Sequence, residues 1–411
     1  MQTAGMNGLE RLKWLIPLVC FVTVFSLCFV PFIQLSVGFY IRLEDLLLPF
    51  VLIILLPYHK ALRYWYFLVL ILWAFYGILT MAINQRLNAW NDYTEVYKLF
   101  KFASYLFLFY LFFKNNKSIF FPVSILFIGL IVFNLFHFTD IFNFNEVVMP
   151  TYSTNIAQID FFGKNSLGGP ATKRILGTMG NPNINALLFS FFLVYFITFL
   201  ERKEWHYGKL LFFLSFAMIL FTQSRTAILS FVCIFVFYVI LKKLNWKYLV
   251  KLITLLILII FLVKLADDLS LSYISNAKLN IAENGSLRGR LEVWSELWAM
   301  IKERPFFGYG INKNYFYSHK LYSENEYILI LWRYGFIGLI FYLTMLFGPI
   351  IYYKNKVLKK RSEISVFYLL LVVVFGMSAL TNNPMSDPVI QLLFAVGTGA
   401  FLSQFDLNEK T

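Results

Sequence analysis

Long apolar runs separated by short polar connections constrain the fold of this chain more than any other feature. Runs such as Tyr64 to Ile83 and Ile119 to Phe138 contain no Lys, Arg, Asp or Glu, and their length, about 20 residues, suits a helix that crosses the hydrocarbon core of a bilayer. Backbone amides in hydrocarbon must all be hydrogen-bonded, so only helices and closed barrels span it. The runs lack the alternation of polar and apolar residues typical of barrel strands. The sequence therefore predicts an all-α, polytopic membrane helix bundle.

About twelve transmembrane helices are predicted, and a total of ten to twelve is the working range because the second and seventh are short. The first run is longer than the core of a signal peptide and has no clear cleavage site, so we interpret it as an uncleaved anchor. The predicted spans are Trp14 to Leu35, Leu43 to Leu56, Tyr64 to Ile83, Leu99 to Phe113, Ile119 to Phe138, Ile184 to Leu200, Leu210 to Phe221, Ala227 to Leu241, Leu249 to Val263, Tyr327 to Ile351, Val366 to Leu380 and Val389 to Leu402.

Basic residues in the short connections predict the orientation of the bundle, because such residues favour the cytoplasmic side. If the short connections rich in Lys and Arg are placed on the cytoplasmic side, the N-terminus also lies inside. Two long connections, residues 139–183 and 264–326, then lie at the outer face. They separate N-terminal (1–138), central (184–263) and C-terminal (327–411) groups of helices. The net charge of +14 is not arranged as a basic stripe with interleaved aromatics, which argues against nucleic acid and favours contact with anionic membrane lipids.

Arginine side chains gather at the predicted outer face. Arg225 stands between two apolar runs, where a guanidinium is costly unless an anion meets it. Arg288 and Arg290 lie in the second long connection, on the same predicted face. Because guanidinium groups pair bidentately with phosphate oxygens, this arrangement predicts a phosphate-bearing substrate.

The second long connection contains an amphipathic pattern. Apolar residues recur at helical spacing from Leu287 to Ile301, with charged residues between them. This predicts a helix at the membrane interface that ends before Pro305, followed by a tight turn at Gly308 and Gly310. The alternative is a surface helix whose charges only face water.

The first long connection ends in a turn that starts a helix. Gly180, Asn181, Pro182 and Asn183 precede an apolar run, which predicts a sharp turn and a helix N-terminus. One interpretation is structural, with Asn183 capping the helix. The other adds that free amides at the helix start, next to Arg225, complete an anion pocket.

These pieces, in this order, resemble the bacterial O-antigen polymerase and O-antigen ligase superfamily. The resemblance covers about residues 177–338 and rests on Gly180-Asn181-Pro182-Asn183, on Ser224-Arg225-Thr226-Ala227-Ile228-Leu229, and on Arg290-x3-Trp294 leading into Pro305-Phe306-Phe307-Gly308-Tyr309-Gly310. It implies a GT-C-like fold in the bacterial inner membrane, with a periplasmic site that acts on an undecaprenyl-pyrophosphate-linked oligosaccharide. It also implies a glycosyltransferase without metal or other cofactor, and a chain-length regulator as a possible partner.

The sequence departs from the ligase pattern at one position. Ligases of this superfamily carry a His, then Asn, Ser or Gln, nine residues and a Gly. Here Asn325 and Gly335 fit, but Glu324 replaces the His. We therefore prefer a polymerase to a ligase that transfers glycan to lipid A core. A lipid-linked oligosaccharide flippase or exporter is a further alternative, although the polar residues concentrate in loops rather than at mid-membrane.

The resemblance and the residue chemistry together assign roles. Glu324 is the leading candidate for the base that deprotonates the acceptor, and Arg225 and Arg290 are the candidates that stabilise the leaving pyrophosphate. Glu326 is the competing base, or it forms a structural ion pair with Arg333. Lys98 and Lys101 either hold a lipid phosphate or only contact headgroups, and the pair Glu44 and Asp45 is expected to be solvated. The candidate substrate-binding residues are Arg288, Asn181, Asn183, Asn325, Glu326, Arg333, Lys98 and Lys101.

Overall fold

The computed structural model describes residues 14–36, 39–58, 65–115, 120–153, 159, 174–199, 207–242, 285–359 and 362–406. Helices dominate these ranges, and the one pair of strands, β1 (Ile33–Ser36) and β2 (Phe39–Ile41), forms a short antiparallel hairpin. We number the described helices α1 (Leu15–Phe29), α2 (Leu43–Leu55), α3 (Trp65–Ile83), α4 (Tyr93–Asn115), α5 (Phe120–Thr139), α6 (Phe144–Val147), α7 (Pro182–Phe199), α8 (Gly208–Thr222), α9 (Arg225–Leu241), α10 (Gly285–Glu303), α11 (Lys313–Ser318), α12 (Glu326–Tyr352), α13 (Lys354–Lys359), α14 (Glu363–Ser378) and α15 (Pro388–Asp406).

Several helices have the length and composition of membrane spans. Among the described residues, six segments qualify, located in α3, α4, α5, α7, α12 and α15, and α1, α8, α9 and α14 are shorter apolar helices. The protein is therefore a polytopic helical membrane protein. The predicted span Leu249 to Val263 lies outside the described residues, and the count of twelve stays a prediction.

The centre of the bundle is built from helices that are apolar on every side. Almost every side chain of α7 is buried, and α15 packs along the length of α4. Helix α14 covers α9 and α7, and α8 lies against α7. A helix that is hydrophobic all round is stable only when neighbours or lipid cover all its faces, so these helices define the core.

The first apolar run ends earlier than the sequence analysis predicted. Helix α1 stops at Phe29 and not at Leu35, because a residue that precedes a proline favours an extended conformation, and Val30, which precedes Pro31, adopts one.

The expectation that Glu44 is solvated is also wrong. Glu44 is fully buried, pairs with Arg42 at 2.9 Å and accepts a hydrogen bond from Ser26 Oγ at 2.9 Å, because β2 delivers the two charges together to the start of α2.

Helix α12 is interrupted at Gly335, where φ is 64° and ψ is −166°. The turn after α10 fills this break. Phe336 N donates to Pro305 O at 2.8 Å, and Tyr309 N donates to Trp332 O at 2.8 Å. Tyr76 of α3 adds its hydroxyl, which contacts Tyr334 O at 2.8 Å and Phe306 O at 3.1 Å. The break thus couples the outer segment of α12 to the Pro305 turn.

Replacing Gly335 with alanine is expected to destabilise the protein by more than about 2 kcal/mol. A Cβ at this position would lie 2.2 Å from Phe306 O, and the backbone conformation is one that only glycine adopts without strain. The thermal unfolding midpoint of the purified protein measures the effect. Gly289→Ala is the matched control, because a Cβ there meets nothing within 4 Å; an equal loss in both variants would contradict the argument.

Helix α10 confirms the amphipathic helix predicted in the second connection, including its end before Pro305. Its buried side differs from the predicted stripe. Leu297 and Ile301 are buried in a cluster with Trp332, whereas Leu291 is 53% and Trp298 44% exposed. The helix therefore packs on the protein with one edge and leaves a second apolar edge uncovered by the described residues. That arrangement fits a helix at a membrane interface.

Candidate active site

The site begins with the short segment that joins α11 to α12. Ser323 O accepts a hydrogen bond from Trp294 Nε1 of α10. Asn325 caps α12, since its Oδ1 accepts from Ile328 N at 3.1 Å. Between them, Glu324 has a left-handed backbone with φ of 40° and a side chain that is 49% exposed. The two anchored neighbours hold Glu324 at the surface of the segment.

Arg290 and Glu324 form a direct ion pair between Nη2 of the guanidinium and Oε2 of the carboxylate. The Arg290 side chain is only 25% exposed, and its Nε is buried without a hydrogen-bond partner among the described residues. A guanidinium has five N–H donors, so Arg290 retains donors after it binds Glu324. The pair therefore offers an anionic oxygen and unused cationic donors side by side.

The loop between α14 and α15, residues 379–387, connects the separate parts of the site. Glu326 N donates to Ala379 O at 2.8 Å, and Asn325 Nδ2 donates to Leu380 O at 3.2 Å. The same loop also contacts the start of the helix α9, where the hydroxyls of Thr381 and Thr226 are 2.6 Å apart. No role was predicted for this loop, although its polar residues lie between two apolar runs at the predicted outer face and were the signal in the sequence.

Arg225 starts α9 next to this loop contact, because it directly precedes Thr226. Its side chain is exposed, and among the described residues it forms no hydrogen bond or ion pair. A cation that is not neutralised by a nearby carboxylate is available for an anionic ligand. The structure thus places Arg225, Glu324 and Arg290 at one end of the bundle, which we call the polar end.

Arg174 is a further cation at the polar end that the sequence analysis missed. Its Nε donates to Thr222 O at 2.7 Å, and its Nη2 donates to Asn183 Oδ1 at 2.9 Å. It therefore ties the start of α7 to the residues just before Arg225. Asn183 does not cap α7 as one interpretation held. Asn181 does so, since its Oδ1 accepts from Asn183 N at 2.9 Å and Pro182 is the first helical residue.

The remaining candidates occupy different surroundings. Arg288 is 83% exposed and pairs with Glu292 at 3.1 Å, one turn along α10. Lys101 is buried and pairs with Asp45 at 2.6 Å. Glu326 is 1% exposed and accepts a hydrogen bond from Met385 N at 2.7 Å.

The suggested ion pair between Glu326 and Arg333 is not formed. Arg333 pairs instead with Glu95 of α4 at 3.3 Å, and so does Lys98 at 2.9 Å. Helix α4 therefore supplies the partner that the sequence analysis sought within α12. Glu95 was not recognised because it lies 238 positions from Arg333 in the chain.

The fold and these contacts define a multi-pass membrane protein with arginines and a carboxylate gathered at one end. Part of the chain is also similar to a known protein family. Residues 210–343 match the family model described as O-antigen ligase, a range that includes Arg225, Arg290 and Glu324.

A relative from Acinetobacter baylyi, the ComP-specific O-oligosaccharyltransferase, is 27% identical over 257 residues. The match covers 56% of this chain and 43% of the relative, so the chain spans less than half the length of that protein. Both findings support a relationship to the O-antigen ligase and polymerase superfamily. They do not separate a polymerase from a ligase.

Proposed function

We propose that the protein is a metal-independent glycosyltransferase that extends a polysaccharide. It transfers a growing glycan from undecaprenyl pyrophosphate to a sugar hydroxyl of a second lipid-linked repeat unit. The ion pair between Arg290 and Glu324 carries the proposal, because it joins a candidate base to a candidate phosphate ligand within the range of the family match. The charge pattern favours an inner-membrane location with the polar end in the periplasm.

The proposed reaction uses the pair in sequence. The acceptor hydroxyl oxygen forms a bond to the anomeric carbon of the donor, and its proton passes to Glu324. The bond from that carbon to the pyrophosphate oxygen breaks, and its electron pair stays on that oxygen of the leaving pyrophosphate. Protonation removes the charge of Glu324, which weakens its hold on Arg290. Arg290 and Arg225 then stabilise the charge that develops on the leaving pyrophosphate.

Glu324 suits the role of base better than Glu326. General base catalysis requires a carboxylate within hydrogen-bond reach of the substrate hydroxyl. Glu324 is half exposed, whereas Glu326 is enclosed and its oxygens contact Met385 N and Ser386 Oγ. Glu326 instead fixes the loop at residues 379–387, so we assign it a positioning role.

Transfer to a different acceptor is the second candidate function. The frame of the ligase pattern is present, since Asn325 caps α12 and Gly335 breaks it. The relative from Acinetobacter baylyi is also named as an oligosaccharyltransferase. Because Glu324 occupies the position of the ligase His, we prefer polymerisation.

Purified full-length protein in lipid nanodiscs, given synthetic undecaprenyl-pyrophosphate-linked repeat units with or without lipid A core, tests the proposal. We expect a ladder of longer glycans on the lipid carrier. Sugar that appears on lipid A core would establish a ligase and overturn the polymerase. Movement of the substrate across a membrane of sealed vesicles, with no change in glycan length, would instead establish a flippase.

A further inference from the structure

A second group of cations lies beside the 379–387 loop. Glu95 of α4 forms ion pairs with Lys98 at 2.9 Å, with Lys313 of α11 at 2.7 Å and with Arg333 of α12 at 3.3 Å. We call these four residues the Glu95 cluster. Three separate elements contribute a positive charge to it, and the exposed fractions of the four side chains range from 5% to 20%.

The cluster contains more positive charge than the described residues neutralise. Three cations share one carboxylate. Asp92 also accepts a hydrogen bond from Lys313 N at 3.0 Å, but its charge is balanced by Arg86, which pairs with it at 3.0 Å. Glu326 accepts hydrogen bonds from Met385 N and Ser386 Oγ. Even if the charge of Glu326 is counted, one positive charge remains. Uncompensated charge in a largely buried site is costly unless an anion joins it.

The three cations also have donors to spare. An ammonium has three N–H groups. Lys98 uses two, toward Glu95 and Ser386 O, and Lys313 uses two, toward Glu95 and Thr94 Oγ1. Arg333 is buried, and its Nε has no hydrogen-bond partner among the described residues. A polar ligand with several acceptor oxygens would satisfy these donors.

The shared carboxylate leaves Lys313 incompletely stabilised. Lys98 and Lys313 contact the same oxygen, Oε1 of Glu95, so their ammonium groups are close neighbours. Burial lowers the pKa of Lys313 below its ordinary value, Glu95 opposes this shift, and Lys98 and Arg333 reinforce it. An anion between these cations would offset their mutual repulsion.

The 379–387 loop links the Glu95 cluster to the candidate active site. Ser386 O accepts from Lys98 at 2.7 Å, and five residues earlier Thr381 contacts Thr226 beside Arg225. Two groups of cations thus flank a single loop. A transferase that joins two phosphate-bearing lipids needs a place for the phosphates of each.

We propose that the Glu95 cluster binds the phosphate groups of the acceptor, while Arg225 and Arg290 bind those of the donor. This inference rests on the proposed function and adds to it the residues that hold the lipid phosphates of the acceptor. An anionic phospholipid headgroup has the same chemistry, so the test must separate the two sources.

The test compares two acceptors in nanodiscs of neutral phosphatidylcholine with the donor held constant. One acceptor is a repeat unit on a polyprenyl pyrophosphate, and the other is the same unit on a polyprenyl ether without phosphate. We expect the wild-type protein to have a KM at least about tenfold lower for the phosphate-bearing acceptor. Lys313→Met and Lys98→Met should raise that KM to the level of the ether while changing kcat less than about twofold, and Lys313→Arg should restore most of the preference.

Lys302→Met is the control, because it removes an exposed cation from α10 that forms no ion pair among the described residues. Equal use of both acceptors by the wild-type protein would overturn the inference but leave the transferase proposal intact. Absence of transfer to either acceptor would overturn the proposed function itself. If adding phosphatidylglycerol raises the thermal stability of the wild-type protein but not of Lys313→Met, and the acceptor preference is absent, the cluster is a headgroup site and the inference is wrong. If a variant fails to accumulate, inhibition of the wild-type protein by inorganic pyrophosphate is measured instead. The inference requires that inorganic pyrophosphate compete with the acceptor.

Discussion

Replacing Arg290 with alanine is expected to lower the rate of glycan transfer about 100- to 1000-fold, and Arg225→Ala should have an effect of similar size. Removal of one hydrogen-bond donor that stabilises the charge developing in a transition state typically lowers the rate by such a factor. The effect should appear mainly in kcat, because the charge on the pyrophosphate increases as its bond to the sugar breaks. Initial rates with saturating lipid-linked donor measure it.

Folding defects can be separated from this effect. Arg225 is exposed and its side chain forms no hydrogen bond or ion pair among the described residues, so its removal should change the thermal unfolding midpoint little. Lys302→Ala, which also removes a positive charge from α10, controls for the loss of charge. Normal amounts of long glycan from both arginine variants would exclude a role of these side chains in binding pyrophosphate.

The second large effect is expected for Glu324→Gln, which should reduce kcat about 100- to 10,000-fold, the range of general base catalysis. Glutamine keeps the size of the side chain and can still accept a hydrogen bond from Arg290, but it does not take up the proton of the acceptor. Binding of the donor should therefore change little. Single-turnover rates and donor binding, measured on the same preparation, separate the two quantities.

The control for this substitution is Glu296→Gln, an exposed carboxylate on α10 that should leave turnover unchanged. If Glu324→Gln retains wild-type turnover, Glu324 is not the base. If that variant still transfers glycan, and transfer is lost only when Glu326→Gln is added, Glu326 is the base.

The sequence predicted elements whose cause is local. Helix α10 followed from apolar spacing and ended before Pro305 as expected. The turn at Gly180 and the helix that starts after it were also predicted, because glycine with a positive φ and proline at the first helical position act within a few residues. Glu324, Arg290 and Arg225 were recognised as candidates from charge at a predicted membrane face.

The contacts between those elements were not predictable from spacing. Arg290 and Glu324 were assigned separate roles, yet they form a pair because Trp294 and Ser323 bring α10 against the start of α12. Glu95 and the 379–387 loop were overlooked, since their importance arises only when α4, α11, α12 and α15 assemble. The cap of α7 was assigned to Asn183 because both asparagines suit a helix start, and only the geometry distinguishes Asn181.

The break in α12 has an evolutionary consequence. The carbonyl of Pro305 and the amide of Tyr309 are both consumed by hydrogen bonds to the edges of the break, so one inserted or deleted residue there would shift α10 relative to Glu324. Related proteins should therefore tolerate length changes elsewhere in this region but keep the stretch from Pro305 to Tyr309 at constant length. A survey of natural insertions and deletions would then trace, without any assay, which part of the chain acts as a fixed spacer.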